Sequence, residues 1–117
     1  HYIPLGRNMG IAKAQNEGYR WFLKDQNIKY FILLDQDSHI DSDYPIRIVS
    51  EYISVDMPNL AALGPTVIRY GTDEVYRSAF YKEKFLPEGI ILKDEIIASG
   101  CCVTRAAICQ IGLNDES

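Results

Sequence analysis

Two aspartates separated by one residue give the clearest chemical signal in the sequence. Asp35 and Asp37 follow the apolar run 30–34, which reads Tyr-Phe-Ile-Leu-Leu and shows no polar alternation. Such a run predicts a strand that is buried on both faces of a parallel sheet. Ligands of open α/β sheets bind beyond the carboxyl ends of the strands, where these two carboxylates are expected. Carboxylate oxygens suit Mg²⁺ or Mn²⁺, and Mg²⁺ sites of this kind share coordination with substrate phosphates.

Strand and helix patterns alternate around this motif, which predicts an α/β fold. Asn8 is a suitable N-cap for a first helix from Met9 to about Lys24. A second helix is predicted from Pro45, a residue that fits the first helical turn, to about Val55. These two helices flank the strand that carries the aspartates, so they are expected to position it.

The second half of the chain contains several short apolar runs. Strands are predicted at 60–63, 90–92 and 96–99, a hairpin or ordered loop at 76–85, and a last helix at 105–111. Thr104 is expected to cap that helix and Gly112 to end it.

The composition excludes several classes of protein. A chain of 117 residues is one domain or a part of one, and a net charge of −4 argues against a general nucleic-acid binder. No apolar run approaches the roughly 20 residues of a membrane-spanning helix. The cysteines, Cys101, Cys102 and Cys109, lack the C-x-x-C spacing of zinc sites. They are interpreted as buried thiols in a reducing cytosol.

Several segments together resemble a known family. They are Asn-Met-Gly-Ile-Ala-Lys-Ala-Gln-Asn-Glu-Gly at 8–18, Phe-Ile-Leu-Leu-Asp-Gln-Asp-Ser at 31–38, Ser-Gly at 99–100 and Ile-Gly-Leu-Asn-Asp-Glu at 111–116. This combination is similar to the family 2 glycosyltransferases, and within them to the rhamnosyltransferase-like branch. The first two segments in tandem are much more specific than Asp-x-Asp alone.

The resemblance implies a GT-A fold, which is a single Rossmann-like α/β domain with a mostly parallel sheet and flanking helices. Residues 1–117 would form one partial domain, truncated at both ends. The implied reaction moves a sugar, with inversion, from a nucleotide-diphosphate sugar donor to a saccharide or lipid-linked acceptor. The branch suggests rhamnose carried on thymidine diphosphate. A cytoplasmic location is implied, and peripheral association of the full-length protein with the inner face of the membrane stays open.

The resemblance also implies roles for individual residues. The donor-binding set is Asn8, Gly10, Gln15, Asp35, Gln36 and Asp37. Within it, Asp37 and Asp35 would hold Mg²⁺ or Mn²⁺, and Asp35 would face the nucleotide ribose. Ser99 and Gly100 would lie on the acceptor side. No catalytic base is assigned within the chain, and Asp115 and Glu116 are interpreted as loop carboxylates.

Other functions remain open from the residues alone. A haloacid-dehalogenase-like phosphatase also places Asp-x-Asp after an apolar strand and would use Asp35 as its nucleophile. That family favours threonine or valine where His39 stands here. A nucleotidyltransferase would share the fold and the metal, and a non-catalytic nucleotide-sugar-binding module would keep the fold without the reaction. His39 is a further potential contact to the metal.

Overall fold

A computed structural model describes residues 1–75, 84–85 and 89–117. The described elements, in chain order, are α1 (Ile11–Lys24), β1 (Tyr30–Ile32), α2 (Tyr44–Ser54), β2 (Ala62–Leu63), β3 (Lys84–Phe85), β4 (Ile91–Leu92), β5 (Cys102–Thr104) and α3 (Arg105–Ile111). None of the helices in these ranges has the length and apolar run that a membrane span needs.

The central sheet is antiparallel, so the prediction of a mostly parallel, Rossmann-like sheet was wrong for the described chain. Its three strands lie in the order β1-β5-β2, and β5 pairs antiparallel with both neighbours. Because β1 and β2 are each antiparallel to β5, they run in the same direction. β1 and β2 are therefore parallel to each other, as the β1-α2-β2 alternation predicts. They are not neighbours in the sheet, however, because β5 lies between them. A second sheet pairs β3 with β4.

Helices cover both faces of β1. The Phe31 ring lies 4.8 Å from that of Tyr19 and 5.4 Å from that of Phe22, both on α1. The adjacent Tyr30 ring lies 5.9 Å from Tyr52 on α2. Successive side chains of a strand point to opposite faces, so α1 and α2 lie on opposite sides of the sheet.

The buried core lies between α1, α3 and the sheet. Tyr19, Phe22 and Ile108 form its centre. Gly18 allows α1 to approach the strand closely, because a Cβ atom there would lie 3.2 Å from the Phe31 ring. This packing holds α1 against β1.

The helices were predicted better than the strands. The first helix begins at Ile11 with Gly10 as its N-cap, so the prediction of Asn8 as the cap was wrong. Thr104 does cap α3, since its hydroxyl accepts from the Ala107 amide at 3.1 Å, and Gly112 ends that helix.

Among the strands, β2 and β4 fall within predicted runs, whereas residues 96–99 are not a strand. The run 30–34 is only partly buried, because Leu34 is 50% exposed. Its prediction as a strand buried on both faces was therefore wrong. Of the segment 76–85, residues 76–83 lie outside the described chain, and residues 84–85 form β3.

Candidate functional site

Two turns meet where β1 ends. Residues 35–38 close with a bond from the Ser38 amide to the Asp35 carbonyl at 3.2 Å, and residues 98–101 close in the same way between Cys101 and Ala98 at 3.0 Å. The Asp35 amide donates to the Ser99 hydroxyl oxygen at 3.2 Å, and the Ser38 and Ser99 hydroxyl oxygens are 2.5 Å apart. We call these two turns the loop pair. They bring the predicted metal-binding and acceptor-side residues together.

The two aspartates of the motif have exposed carboxylates without partners. Neither Asp35 nor Asp37 forms a side-chain hydrogen bond or ion pair within the described chain. The next acidic residues differ, since Asp41 and Asp43 lie 2.9 Å and 3.1 Å from guanidinium nitrogens of Arg47. The acidic run thus contains one pair that shares the single positive charge of Arg47 and one pair that remains available to a cation.

No preformed metal cage surrounds the available pair. Within the ranges described, no group of three or more His, Cys, Asp or Glu side chains is placed to hold an ion. Gln36 and His39 are both exposed, and the His39 ring centre lies 6.3 Å from that of Tyr70. This arrangement suits a cation that takes one or two carboxylates from the protein and completes its coordination with water and substrate phosphate.

The second turn of the loop pair is held tightly. The Gly100 amide donates to the Leu33 carbonyl at 2.7 Å, and the Tyr44 hydroxyl donates to the Gly100 carbonyl at 2.5 Å. Burial raises the pKa of the Tyr44 phenol, with the neighbouring Cys101 thiol second, so the phenol stays a neutral donor. Gly100 has φ +81°, and a Cβ atom there would lie 2.8 Å from the Pro65 side chain.

Two buried cysteines lie at the end of this turn, Cys101 as its last residue and Cys102 directly after it. Cys101 is 4% exposed and Cys102 is fully buried, as predicted from the sequence, whereas Cys109 is exposed. Burial, followed by the adjacent Cys102, raises the pKa of the Cys101 thiol to about 11. The Cys101 thiol is therefore protonated at neutral pH and is not a nucleophile for the site.

The remaining donor-binding candidates lie at the start of α1. The Asn8 side-chain oxygen accepts from the Gly10 amide at 3.0 Å, which fixes the turn that precedes the helix. The Gln15 side-chain oxygen accepts from the Asn114 side-chain amide at 2.9 Å. Within the described chain, no hydrogen bond or ion pair joins these three residues to the loop pair.

Among the residues that the structure describes, the most buried polar side chain is that of Asn16, to which the sequence patterns assign no role. Asn16 is 1% exposed, and its oxygen accepts from the Asn114 amide at 2.8 Å. Its nitrogen donates to the Asn114 carbonyl at 2.9 Å and to the Glu116 carboxylate at 2.8 Å. We call Asn16, Asn114 and Glu116 the clamp, because they fasten the end of the described chain to α1.

The Glu116 carboxylate is fully engaged in the clamp. Besides Asn16, it lies 3.1 Å from the Arg20 guanidinium and 3.8 Å from the Lys13 ammonium. The hydrogen bond from Asn16, followed by that from Arg20, lowers the pKa of Glu116. A carboxylate held in this way is a weak base. The sequence suggests only a loop carboxylate here, without this network of partners.

A cleft of about 650 Å³ adjoins the loop pair on its other side. It lies between α2 and residues 89–97, and apolar side chains such as Ile48, Leu63 and Ile97 line much of it. Pro65 belongs to this lining and also packs beside Gly100. The acceptor-side turn therefore lies at the edge of the cleft.

Comparison with known proteins gives one informative similarity. The chain is 34% identical, over an alignment of 124 residues, to a dTDP-rhamnosyl transferase, RfbF, of Shigella flexneri. The alignment covers 99% of this chain and 40% of that protein, so the chain spans less than half the length of its relative. No protein-family model and no solved structure matches the chain. The chain is thus similar to part of a glycosyltransferase.

Proposed function

We propose that the protein is a metal-dependent, inverting glycosyltransferase. Its donor is a nucleoside diphosphate sugar, with dTDP-rhamnose as the first candidate, and its acceptor is a saccharide or a lipid-linked saccharide. Residues 1–117 form part of the transferase domain, which is cytoplasmic and contacts the inner face of the membrane when the acceptor is lipid-linked. The observation that carries the proposal is the similarity to a dTDP-rhamnosyl transferase along 99% of the chain.

The geometry of the loop pair is an argument for a divalent metal at Asp35 and Asp37. Both carboxylates are exposed and unpaired in the described chain, and together they supply hard oxygen ligands of the kind that Mg²⁺ and Mn²⁺ take. A cation bound there adds positive charge beside the diphosphate as that group leaves with increasing negative charge. Asp37 is assigned to the metal, and Asp35 is assigned to the metal and to the nucleotide ribose.

The other residues of the proposed site bind and orient the two substrates. Asn8, Gly10 and Gln15 line the donor side, together with Gln36. Gln15 is aligned for this role, because Asn114 donates to its side-chain oxygen and leaves its amide nitrogen free to donate to a phosphate oxygen. Gly100 is assigned to the acceptor, and its neighbour Pro65 lines the cleft that would receive it. No catalytic base is assigned in residues 1–117.

The proposal is tested by incubating the full-length protein and Mn²⁺ with a panel of sugar nucleotides and, separately, with a phosphate monoester. We expect consumption of dTDP-rhamnose and no turnover of the monoester. The Asp37→Asn variant is expected to lose sugar-nucleotide consumption, whereas His39→Ala, at an exposed position in the same loop, is expected to keep most of it. The opposite result would be turnover of the monoester, its loss in Asp35→Asn, and no consumption of any sugar nucleotide. It would show that the protein is a phosphatase with Asp35 as its nucleophile.

A further inference from the structure

We propose that Ser99 is a positioning residue that holds the turn 35–38 in the form that presents Asp35 and Asp37 to a metal-bound nucleoside diphosphate. The inference rests on the proposed function and assigns Ser99 to the donor side of the site. The observation behind it is that a single hydroxyl group, that of Ser99, takes part in every hydrogen bond between this turn and another part of the described chain.

The turn has few restraints of its own. Its internal bond runs from the Ser38 amide to the Asp35 carbonyl at 3.2 Å, and its residues are exposed. Both outward bonds, from the Asp35 amide at 3.2 Å and between the Ser38 and Ser99 hydroxyls at 2.5 Å, end on Ser99 Oγ. One atom therefore restrains the first and the last residue of the turn.

Ser99 is itself held by a well-anchored segment. The next residue, Gly100, bonds to Leu33 through its amide and to Tyr44 through its carbonyl, and it packs against Pro65. The Leu33 amide also donates to the Cys101 carbonyl at 3.0 Å. The 98–101 turn is thus held by the residue that follows β1, by α2 and by the segment after β2. Because the turn 98–101 is anchored at several points and the turn 35–38 is not, Ser99 restrains the aspartate turn and not the reverse.

The two serine hydroxyls carry two hydrogens, and the contact between them uses one. One hydroxyl hydrogen lies between the two serine oxygens, and either serine can supply it. The oxygen of Ser99 also accepts from the Asp35 amide, so the second hydroxyl hydrogen is free to point away from the pair.

Removal of the Ser99 hydroxyl is expected to release the turn without unfolding the protein. The carboxylates would then have to be ordered when the metal and the diphosphate bind, which weakens binding. A net hydrogen bond corresponds to about a three- to tenfold change in affinity. Because the weakening acts through the carboxylates, it should appear in Mn²⁺ and should be absent in a chelator.

The experiment is calorimetric titration of dTDP into the full-length protein, in Mn²⁺ and in chelator. Ser99→Ala is expected to lower the Mn²⁺-dependent gain in dTDP affinity about three- to tenfold, and Ser99→Thr, which keeps a hydroxyl, is expected to restore it. Ser38→Ala should have a smaller effect because the Asp35 amide bond remains. The control is Ser50→Ala, an exposed serine of α2 whose hydroxyl has no partner among the described residues.

The outcomes separate this inference from the proposed function. Wild-type protein that binds dTDP equally in Mn²⁺ and in chelator overturns both. A metal-dependent wild type whose Ser99→Ala and Ser38→Ala variants keep the full Mn²⁺-dependent gain overturns the role of Ser99 and leaves the proposed function standing. If Ser99→Ala fails to fold, Ser38→Ala decides the question alone, because it removes the same hydroxyl contact from an exposed position.

Discussion

The loop pair and the clamp both join polar side chains from distant parts of the chain, and they use their carboxylates in opposite ways. In the loop pair, Asp35 and Asp37 have no side-chain partner within the described chain. In the clamp, Glu116 contacts Asn16, Arg20 and Lys13. An acidic group surrounded by donors is already neutralised, whereas exposed and unpaired acidic groups keep their capacity for a cation.

The two regions also differ in which groups hold them together. The clamp depends on a side chain, the buried Asn16 amide, and on its three hydrogen bonds. In the loop pair, main-chain bonds of Gly100 and Leu33 anchor the turn 98–101, serine hydroxyls join the two turns, and neither aspartate side chain takes part. Substitution of an aspartate should therefore spare the fold, whereas substitution of Asn16 should not.

The largest effect on stability is expected from Asn16→Asp. The change replaces a donor that serves the Asn114 carbonyl and the Glu116 carboxylate with a second carboxylate in a buried position. Loss of these bonds is expected to lower the free energy of unfolding by about 3 kcal/mol, measured by urea denaturation. The matched control, Asn59→Asp at an exposed position, should change it by less than about 0.5 kcal/mol. Equal effects of the two variants would show that the clamp does not stabilise the fold.

The loop pair should respond to a backbone substitution, Gly100→Ala. Gly100 has φ +81°, and an added Cβ would lie 2.8 Å from Pro65 and 3.0 Å from the Tyr44 hydroxyl. Left-handed strain and overpacking together are expected to cost about 2–3 kcal/mol of unfolding free energy. Gly71→Ala is the control, since Gly71 has φ +74° with nothing within 4 Å of the added Cβ. Gly71→Ala should show only the cost of the left-handed backbone. If both variants lose the same free energy of unfolding, overpacking against Pro65 and Tyr44 makes no contribution at Gly100.

A smaller effect is expected in the pH dependence of stability. The pKa of Glu116 is lowered in the folded protein, mainly by the Asn16 hydrogen bond, so its ionised form stabilises the fold. This stabilisation is complete above the ordinary pKa of 4.5 and is lost as the pH falls through the lowered folded value. The difference in melting temperature between wild type and Glu116→Gln should therefore shrink below about pH 4. A difference that grows on acidification would contradict the clamp.

The sequence was sufficient for the helices and for the position of the aspartates. Helical periodicity predicted α1 to within a few residues although its cap was wrong, and the Thr104 cap and Gly112 predicted α3, because these signals come from neighbours in the chain. The end of an apolar strand likewise predicted where Asp35 and Asp37 would emerge. These features depend on local sequence.

The sheet order and the clamp depend on contacts that local sequence does not encode. The β1-α2-β2 alternation suggested neighbouring parallel strands, but β5, a short strand that ends at Thr104 and was not predicted, lies between them. Asn16 looked like an ordinary helix residue, and its partner Asn114 is 98 positions away. A polar residue on the same helical face as Phe22 and Tyr19 was the available signal for its burial.

The most direct test of the contrast between the two regions is a matched pair of carboxylate-to-amide variants, Asp37→Asn and Glu116→Gln, in the full-length protein. For each, dTDP affinity is measured by calorimetry in Mn²⁺ and in chelator, and melting temperature is measured at neutral pH. We expect Asp37→Asn to lose at least about tenfold of the Mn²⁺-dependent gain in affinity with an unchanged melting temperature. Glu116→Gln should lower the melting temperature and keep that gain. This contrast would be contradicted if Asp37→Asn kept the Mn²⁺-dependent gain in dTDP affinity, or if Glu116→Gln lost it. Either result would show that the loop pair does not bind the ligand or that the clamp does more than stabilise the fold.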